Sequence, residues 1–437
     1  MKKYFKLLIG ILIFFPGLSL WGADAGLILD QTADYSGSAN DGIFRKNNTP
    51  ERDDASKKDN VLEYSSALIP WFSVYSGDNG GGFYFSASIR ADWKDEKDKE
   101  DEEGKKKKAL SFMPELLRTE FSWRSESGEF KLGRMQYTDP LGFIADGLFD
   151  GAFMSMDMGG GSVNMGTWYT GLLCKERANI TMTPAEMESY NVILDYDNFM
   201  DTYFAPRRIV STLGWEHPGL AEQVRVKLAV LGQFDLAKEN SLNTQYFMGK
   251  FSAPVNDFVF DLGGCLETIE YADEYKMALA GEVGFSWLFT ATRLSLTGRY
   301  SGGMPEKEDS KMTAFLPLST VYQGNVLKAR LSGISVVTLD YLCRLHRTFS
   351  ANLAASCFLR SDLGAYSGYP VTAASDDDFD KKTYILGTEL FGRFCWAPVS
   401  DIQINLGGGA FLPAMGNVAR NAPLLWRAEI NLTLALY

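Results

Sequence analysis

The sequence predicts an all-β chain, a single transmembrane antiparallel up-and-down β-barrel of about eighteen strands, with about sixteen as the fallback. Three observations predict it. Segment after segment alternates apolar and polar residues over the ~10-residue length of a tilted membrane strand. The joints between segments alternate long and short. The tail 424–437 keeps alternating to a last aromatic residue, Tyr437.

The first element is a leader. Lys2, Lys3 and Lys6 precede an apolar run over 7–20, and Ala23-Asp24-Ala25 offers a cleavage site, so 1–25 reads as a signal peptide. The run falls short of the ~20 apolar residues of a spanning helix. No later window has that length, which leaves 26–437 as one domain crossing a membrane with strands. The 42 glycines and 13% aromatic residues suit side chains that alternate between lipid and water. A net charge of -12 argues against a nucleic-acid partner. The five cysteines, odd in number and widely spaced, show no metal-site spacing, and no cofactor motif is present. Cys343, Cys357 and Cys395 fall within strands as small wall residues.

The strands follow in order. Gly26 to Thr32 supplies the first, and 26–60 holds it with its outer loop or an N-terminal extension. Strands near 61–76, 82–93, 109–124, 129–137, 151–158 and 162–173 come next, with short turns at 77–81, 125–128 and 159–161 and the charged run 94–108 at the opposite end. The insert 174–206 is a long outer loop. Strands near 207–216, 222–237, 245–254, 257–271, 275–288 and 292–302 lead to an outer loop over 303–326. The last five lie near 327–345, 349–362, 384–396, 401–413 and 424–437. Period two is plain where Leu228, Val230 and Phe234 oppose Arg225, Lys227 and Gln233, and where Tyr275, Met277, Leu279 and Val283 oppose Lys276 and Glu282.

The same registers turn Arg90, Arg118, Glu120, Arg225, Lys227, Lys276, Glu282, Arg293, Arg299, Lys328, Arg330 and Arg393 toward the lumen. Basic residues prevail there, which favours small anions; the same charges also serve as cross-strand braces. Asp195, Asp197 and Asp201 are interleaved with Tyr190, Tyr196, Phe199, Tyr203 and Phe204 in the long insert, an aromatic-rich loop expected to fold inward and narrow the lumen. The acidic run 376–380 lacks the glycine and ligand spacing of a calcium loop and reads as solvated charge.

At Leu132-Gly133-Arg134-Met135-Gln136-Tyr137-Thr138-Asp139-Pro140-Leu141-Gly142, followed by Asp146-Gly147-Leu148-Phe149-Asp150-Gly151, the chain resembles bacterial outer-membrane porins, many of which carry a Gly-Arg strand leading into an outer loop. The resemblance implies passive diffusion of small hydrophilic solutes through the outer membrane, reached after the leader is cleaved. Outer-membrane lipid and the barrel-assembly machinery are the implied partners, and a homotrimer is a frequent arrangement at this size. It points to Arg118, Arg134 and the 174–206 insert as the channel-defining parts. One departure stands out: Leu432, Leu434 and Leu436 lie one residue off Tyr437, so the last aromatic is out of register with the apolar face.

Other classes fit less well. A barrel hydrolase needs a histidine beside a nucleophile or carboxylate, and His217 and His346 both fall at short turns, so no enzyme is expected. A plugged transporter for hydrophobic compounds, like the fatty-acid channels, would use 26–60 as a hatch, yet Arg45, Lys46, Arg52, Asp53 and Asp54 make it very polar. An adhesin-like structural barrel with a filled lumen is the remaining alternative.

Overall fold

The computed structural model describes residues 23–39, 60–76, 80–94, 110–182, 194–220, 223–237, 241–271, 274–305, 310–361, 384–413 and 424–437. The strands in chain order are β1 (Ala23–Ala39), β2 (Val61–Ser76), β3 (Gly81–Lys94), β4 (Leu110–Ser125), β5 (Gly128–Thr138), β6 (Asp146–Met158), β7 (Gly161–Tyr169), β8 (Arg208–Leu220), β9 (Val224–Asp235), β10 (Leu242–Val255), β11 (Phe258–Tyr271), β12 (Glu274–Leu288) and β13 (Thr292–Ser301). They continue with the two-residue β14 (Tyr322–Gln323) and β15 (Ala329–Arg330), then β16 (Ile334–His346), β17 (Phe349–Arg360), β18 (Ile385–Val399), β19 (Ile402–Pro413) and β20 (Leu424–Leu436). One turn of helix, α1 (Phe199–Thr202), lies between β7 and β8.

All but β14 and β15 join one antiparallel sheet of 18 strands among the described residues. The sheet closes where β1 pairs with β20, from Leu27 opposite Leu436 to Ala39 opposite Leu424. Closure gives every wall strand two neighbours and leaves no sheet edge in lipid. The first strand expected at Gly26 to Thr32 thus exists and is longer, and it includes Ala23-Asp24-Ala25, paired with Phe72, Ser73 and Val74 of β2. Its place in the wall removes 23–39 as hatch material; 40–59 lie outside the described residues, as does the run 376–380.

One end of the barrel carries the tight turns. Gly159 and Gly160, both at positive φ (59° and 86°), join β6 to β7, the geometry that two-residue hairpins need. Asn256, at φ 55°, does the same between β10 and β11. His217 and His346 lie near this end, as expected. The outward face is apolar and exposed through Ile89, Phe121, Leu132, Leu228, Val230, Leu262, Val283, Leu353 and Leu390. Such a face is stable only against lipid. Five free thiols, Cys174, Cys265, Cys343, Cys357 and Cys395, complete the inventory of cysteines.

The packed interior of the barrel sits between this wall and segments folded into it. Leu141, Phe143, Ile144 and Ala145 from the β5–β6 connection, with Phe315, Leu318, Leu327, Ala329 and Leu331 from the β13–β16 connection, are buried in one cluster with wall residues Trp168, Leu231, Tyr246 and Phe358. Two boundaries differ from expectation. The wall strand expected over 327–345 begins only at Ile334, because 310–333 turns into the lumen. The stretch 170–173, expected as strand, already belongs to the long insert.

Candidate functional site, the constriction of the lumen

Three segments meet inside the barrel. The tip 139–145 is held by Asp139, whose carboxylate accepts hydrogen bonds from the backbone N–H groups of Leu141 (2.7 Å), Gly142 (3.0 Å), Ile144 (2.8 Å) and Ala145 (2.8 Å). These contacts satisfy the polar backbone of a turn that carries apolar side chains into the interior. The tip spans toward the far wall. A side chain added at Gly263 of β11 would meet Leu141 at 2.4 Å, and the Arg299 guanidinium of β13 lies 5.4 Å from the Phe143 ring centroid.

The second segment, 310–333, is tied down by wall carboxylates. Glu389 of β18 accepts from the N–H groups of Asn325 (2.6 Å), Val326 (3.0 Å) and Leu327 (2.9 Å). Glu267 of β11 accepts from Leu316 N–H at 2.8 Å, and the Tyr246 hydroxyl donates to the Leu316 carbonyl at 2.6 Å. The third segment, 179–182, enters from the long insert, where buried Arg208 of β8 donates to the Thr181 carbonyl at 2.6 Å. All three join at Ser319. Its N–H donates to Ile144 O (2.8 Å), its hydroxyl accepts from Asp146 N–H (3.0 Å), and it pairs with Ile180 in an isolated bridge.

The sequence-predicted charges divide by position. Arg118 bonds Glu120 at 2.9 Å, Arg299 bonds Glu282 at 2.7 Å, Arg393 bonds Glu429 at 2.7 Å, Lys227 bonds Glu216 at 3.1 Å, and Arg293 approaches Asp340 to 3.8 Å. Arg90 lies 3.5 Å from Asp92, and Lys276 pairs with Glu274 at 2.9 Å near the long-loop end. Arg225 is exposed on β9. Lys328 and Arg330 are corrected: both belong to the inserted segment rather than to a wall strand, Lys328 at φ 50° and 3.7 Å from Asp34, Arg330 in β15.

Arg134 is a second correction. It shares the parity of lipid-facing Leu132, not that of the lumen, and is buried. Beyond the pairing of Thr119 with Arg134, β5 leaves β4, since the β5–β6 hairpin leans inward. The carbonyls thereby freed on β4 are capped by side chains: Arg134 donates to Leu116 O, Tyr203 to Pro114 O at 2.8 Å, and Tyr196 to Phe112 O. Tyr196 and Tyr203 of the long insert therefore help seal a seam in the wall, while Tyr190 lies outside the described residues. Asp195 and Asp197 are exposed at the turn before α1, and Asp201 lies in α1. Among the described residues the narrowing comes from 139–145, 179–182 and 310–333 instead. The signal that could have found them was apolar: Leu141, Phe143 and Ile144 in one supposed surface loop, Phe315, Leu316 and Leu318 in another.

Near Cys174, burial pushes the thiol up to about 11, and its Sγ lies 3.2 Å from the Met113 sulfur. Burial likewise pushes the Tyr203 hydroxyl well above the usual phenol range.

The fold and its constriction define a class: a closed antiparallel membrane-type barrel whose bore is set by inward-folded connections. Solved structures of that architecture lie close by. The Pseudomonas aeruginosa channel protein OccK7 (OpdD) superposes with a TM-score of 0.58 at 12% identity, covering 95% of this chain and 98% of its own. OccK2 (OpdF) of the same organism, solved in complex with glucuronate, gives 0.57 at 10% identity with the same coverages, and OpdK, solved with vanillate, gives 0.56 at 10% over 95% and 98%. No family model matches the chain, and no curated protein matches it by sequence.

Proposed function

We propose that the protein is an outer-membrane channel through which small hydrophilic solutes diffuse passively, with a mild preference for anions. The observation that carries the channel is the polar, ion-paired inner face of an 18-strand barrel narrowed by inserted segments. Barrels of this size leave an aqueous path. The solved relatives in shape include channels crystallised with glucuronate and with vanillate, small polar solutes of the kind such a bore admits.

The anion preference rests on which partner of each pair meets the lumen. The Arg118 side chain is 43% exposed against 5% for Glu120, Arg393 45% against 14% for Glu429, and Lys328 46% against 14% for Asp34. The carboxylates are tucked beneath the cations, so a passing ion samples the positive member first. Lys276 and Arg90 reverse this order, each less exposed than its acid.

Single-channel recording of the refolded protein in a planar lipid bilayer tests both parts. Steady conductance steps, with a reversal potential of anionic sign in a salt gradient, are expected. A folded β protein without conductance overturns the channel; a cationic reversal potential overturns the selectivity.

A further inference from the structure

Where the β5–β6 hairpin leans inward, two strand faces that a barrel wall keeps apart come to face each other. Glu115 lies on the lumen side of β4, opposite buried Ser88 of β3, with Leu117 beside it. Gln136, Asp146 and Leu148 share the outer parity of Leu132, since Gln136 opposes Leu148 and Thr138 opposes Asp146. All five nevertheless line one cavity of about 290 Å³. The inner face of one strand and the outer face of the next can share a cavity only if it is a wedge between wall and hairpin. It is a chamber beside the constriction, not a stretch of the bore. The long insert and Ser319 close it on the remaining sides.

The buried cation of this chamber is committed, and its carboxylates are not. Arg134 is taken by Asp150, Leu116 O and Leu172 O. The Glu115 side chain is only 12% exposed, yet its closest cation, Arg177 Nε, stands 3.6 Å away, too far for a hydrogen bond. Arg177 itself is 44% exposed, so this pairing is loose. Across the wedge, the Gln136 amide (3.0 Å) and the Thr138 hydroxyl (2.7 Å) both donate to Asp146 Oδ1. Among the described residues Asp146 Oδ2 has no hydrogen-bond partner. Each side of the wedge thus brings a carboxylate with acceptor capacity to spare. Between them, Leu117, Leu148, Leu173 and Ile180 give the chamber apolar flanks.

We infer that this chamber is a binding site for a small organic ammonium ion, with Glu115 and Asp146 supplying acceptors for its N–H groups and the leucine and isoleucine side chains covering its carbon body. An ammonium carries donors only, which is what these acids lack. An anion would meet two under-satisfied carboxylates, and a bare metal ion needs an all-oxygen shell that the apolar flanks do not offer. The volume lies at the small end of ligand cavities and limits the carbon body to a short chain. A solute diffusing through the bore need not enter the chamber, so the site goes beyond the channel reading.

The test is isothermal titration calorimetry of the folded full-length protein in a neutral detergent at pH 7, with n-butylammonium chloride as the probe. Sodium butyrate and calcium chloride at matched ionic strength are the comparisons. Binding needs no open pore, so its failure is separate from that of the channel reading, which conductance decides. Saturable binding of butylammonium and none of butyrate or calcium is expected. Glu115→Gln, which keeps the shape and removes the charge, should weaken the butylammonium Kd by about tenfold or more, the scale of one charge-assisted hydrogen bond. Glu63→Gln at the rim, where Glu63 pairs with Lys94 at 3.1 Å, leaves it unchanged. Should Glu115→Gln fail to fold, Asp146→Asn takes its place with the same expectation. No saturation with butylammonium, butyrate or calcium bound as tightly, or equal effects of Glu115→Gln and Glu63→Gln would overturn the assignment.

Discussion

The Arg134 guanidinium donates to the Leu116 carbonyl at 2.5 Å and closes the wall where β5 leaves β4. The same group forks onto Asp150 at 2.8 and 2.7 Å and reaches Leu172 O at 2.9 Å. Four acceptor contacts from one buried cation explain why a lysine would not serve: it lacks the planar fork.

Arg134→Ala should destabilise the barrel by about 3 kcal/mol, since it leaves half-buried Asp150 without its cation and Leu116 O uncapped. Urea unfolding of the refolded protein in detergent measures this. Tyr203→Phe removes a single neutral cap and should cost about 1 kcal/mol. Equal costs for the two would contradict the seam as described.

Glu389→Ala should enlarge the bore. Three N–H groups of the inserted segment lose their acceptor, each at a cost of about 1–3 kcal/mol if it stays buried, so the segment is better off withdrawing to water. Single-channel conductance is expected to rise and its open-state noise to increase. Unchanged conductance from a stably folded variant would mean that 325–327 is held by other contacts.

Arg393→Gln with Lys328→Gln should shift the reversal potential toward cations. The acids beneath them, Glu429 and Asp34, keep Arg427 at 2.9 and 2.6 Å and stay in place. A double variant with wild-type anion bias would show that selectivity is set elsewhere in the lumen.

Cys174 should resist maleimide at pH 8 in the folded protein and react in denaturant. Its thiol, pushed up to about 11 by burial, stays protonated at a pH where a free cysteine, near ~8.5, is already partly thiolate. The folded state thus keeps a proton that the unfolded chain releases, so this group lowers stability as pH rises from about 8.5 toward 11. Mass spectrometry of the labelled peptide reads the outcome; rapid labelling at pH 8 would refute the buried site.

Much of the wall was legible from alternation alone, because each strand has one lipid face and one wet face. The joint lengths then ordered the strands, and even the faint first strand at Gly26 to Thr32 followed from parity. The bore was not legible, because inward folding depends on contacts between distant segments. Resemblance assigns Arg134 to the channel, yet it lies buried on the parity of Leu132 and caps the seam of the wall. Lys328 falls in the segment 327–345 expected as a wall strand, but its neighbours Leu327, Ala329 and Leu331 are buried in the lumen cluster and do not face lipid.

Ser319 brings together residues 144, 180 and 319, which the chain keeps far apart, whereas the wall is built almost wholly from next-neighbour pairs. The molecule therefore joins a short-range scaffold to a long-range aperture. Lipid-facing positions of the wall can change one at a time without altering the calibre, but a change at any one of the three lumen segments, or at the wall groups that anchor them, must be answered by the others, so the calibre varies as a unit.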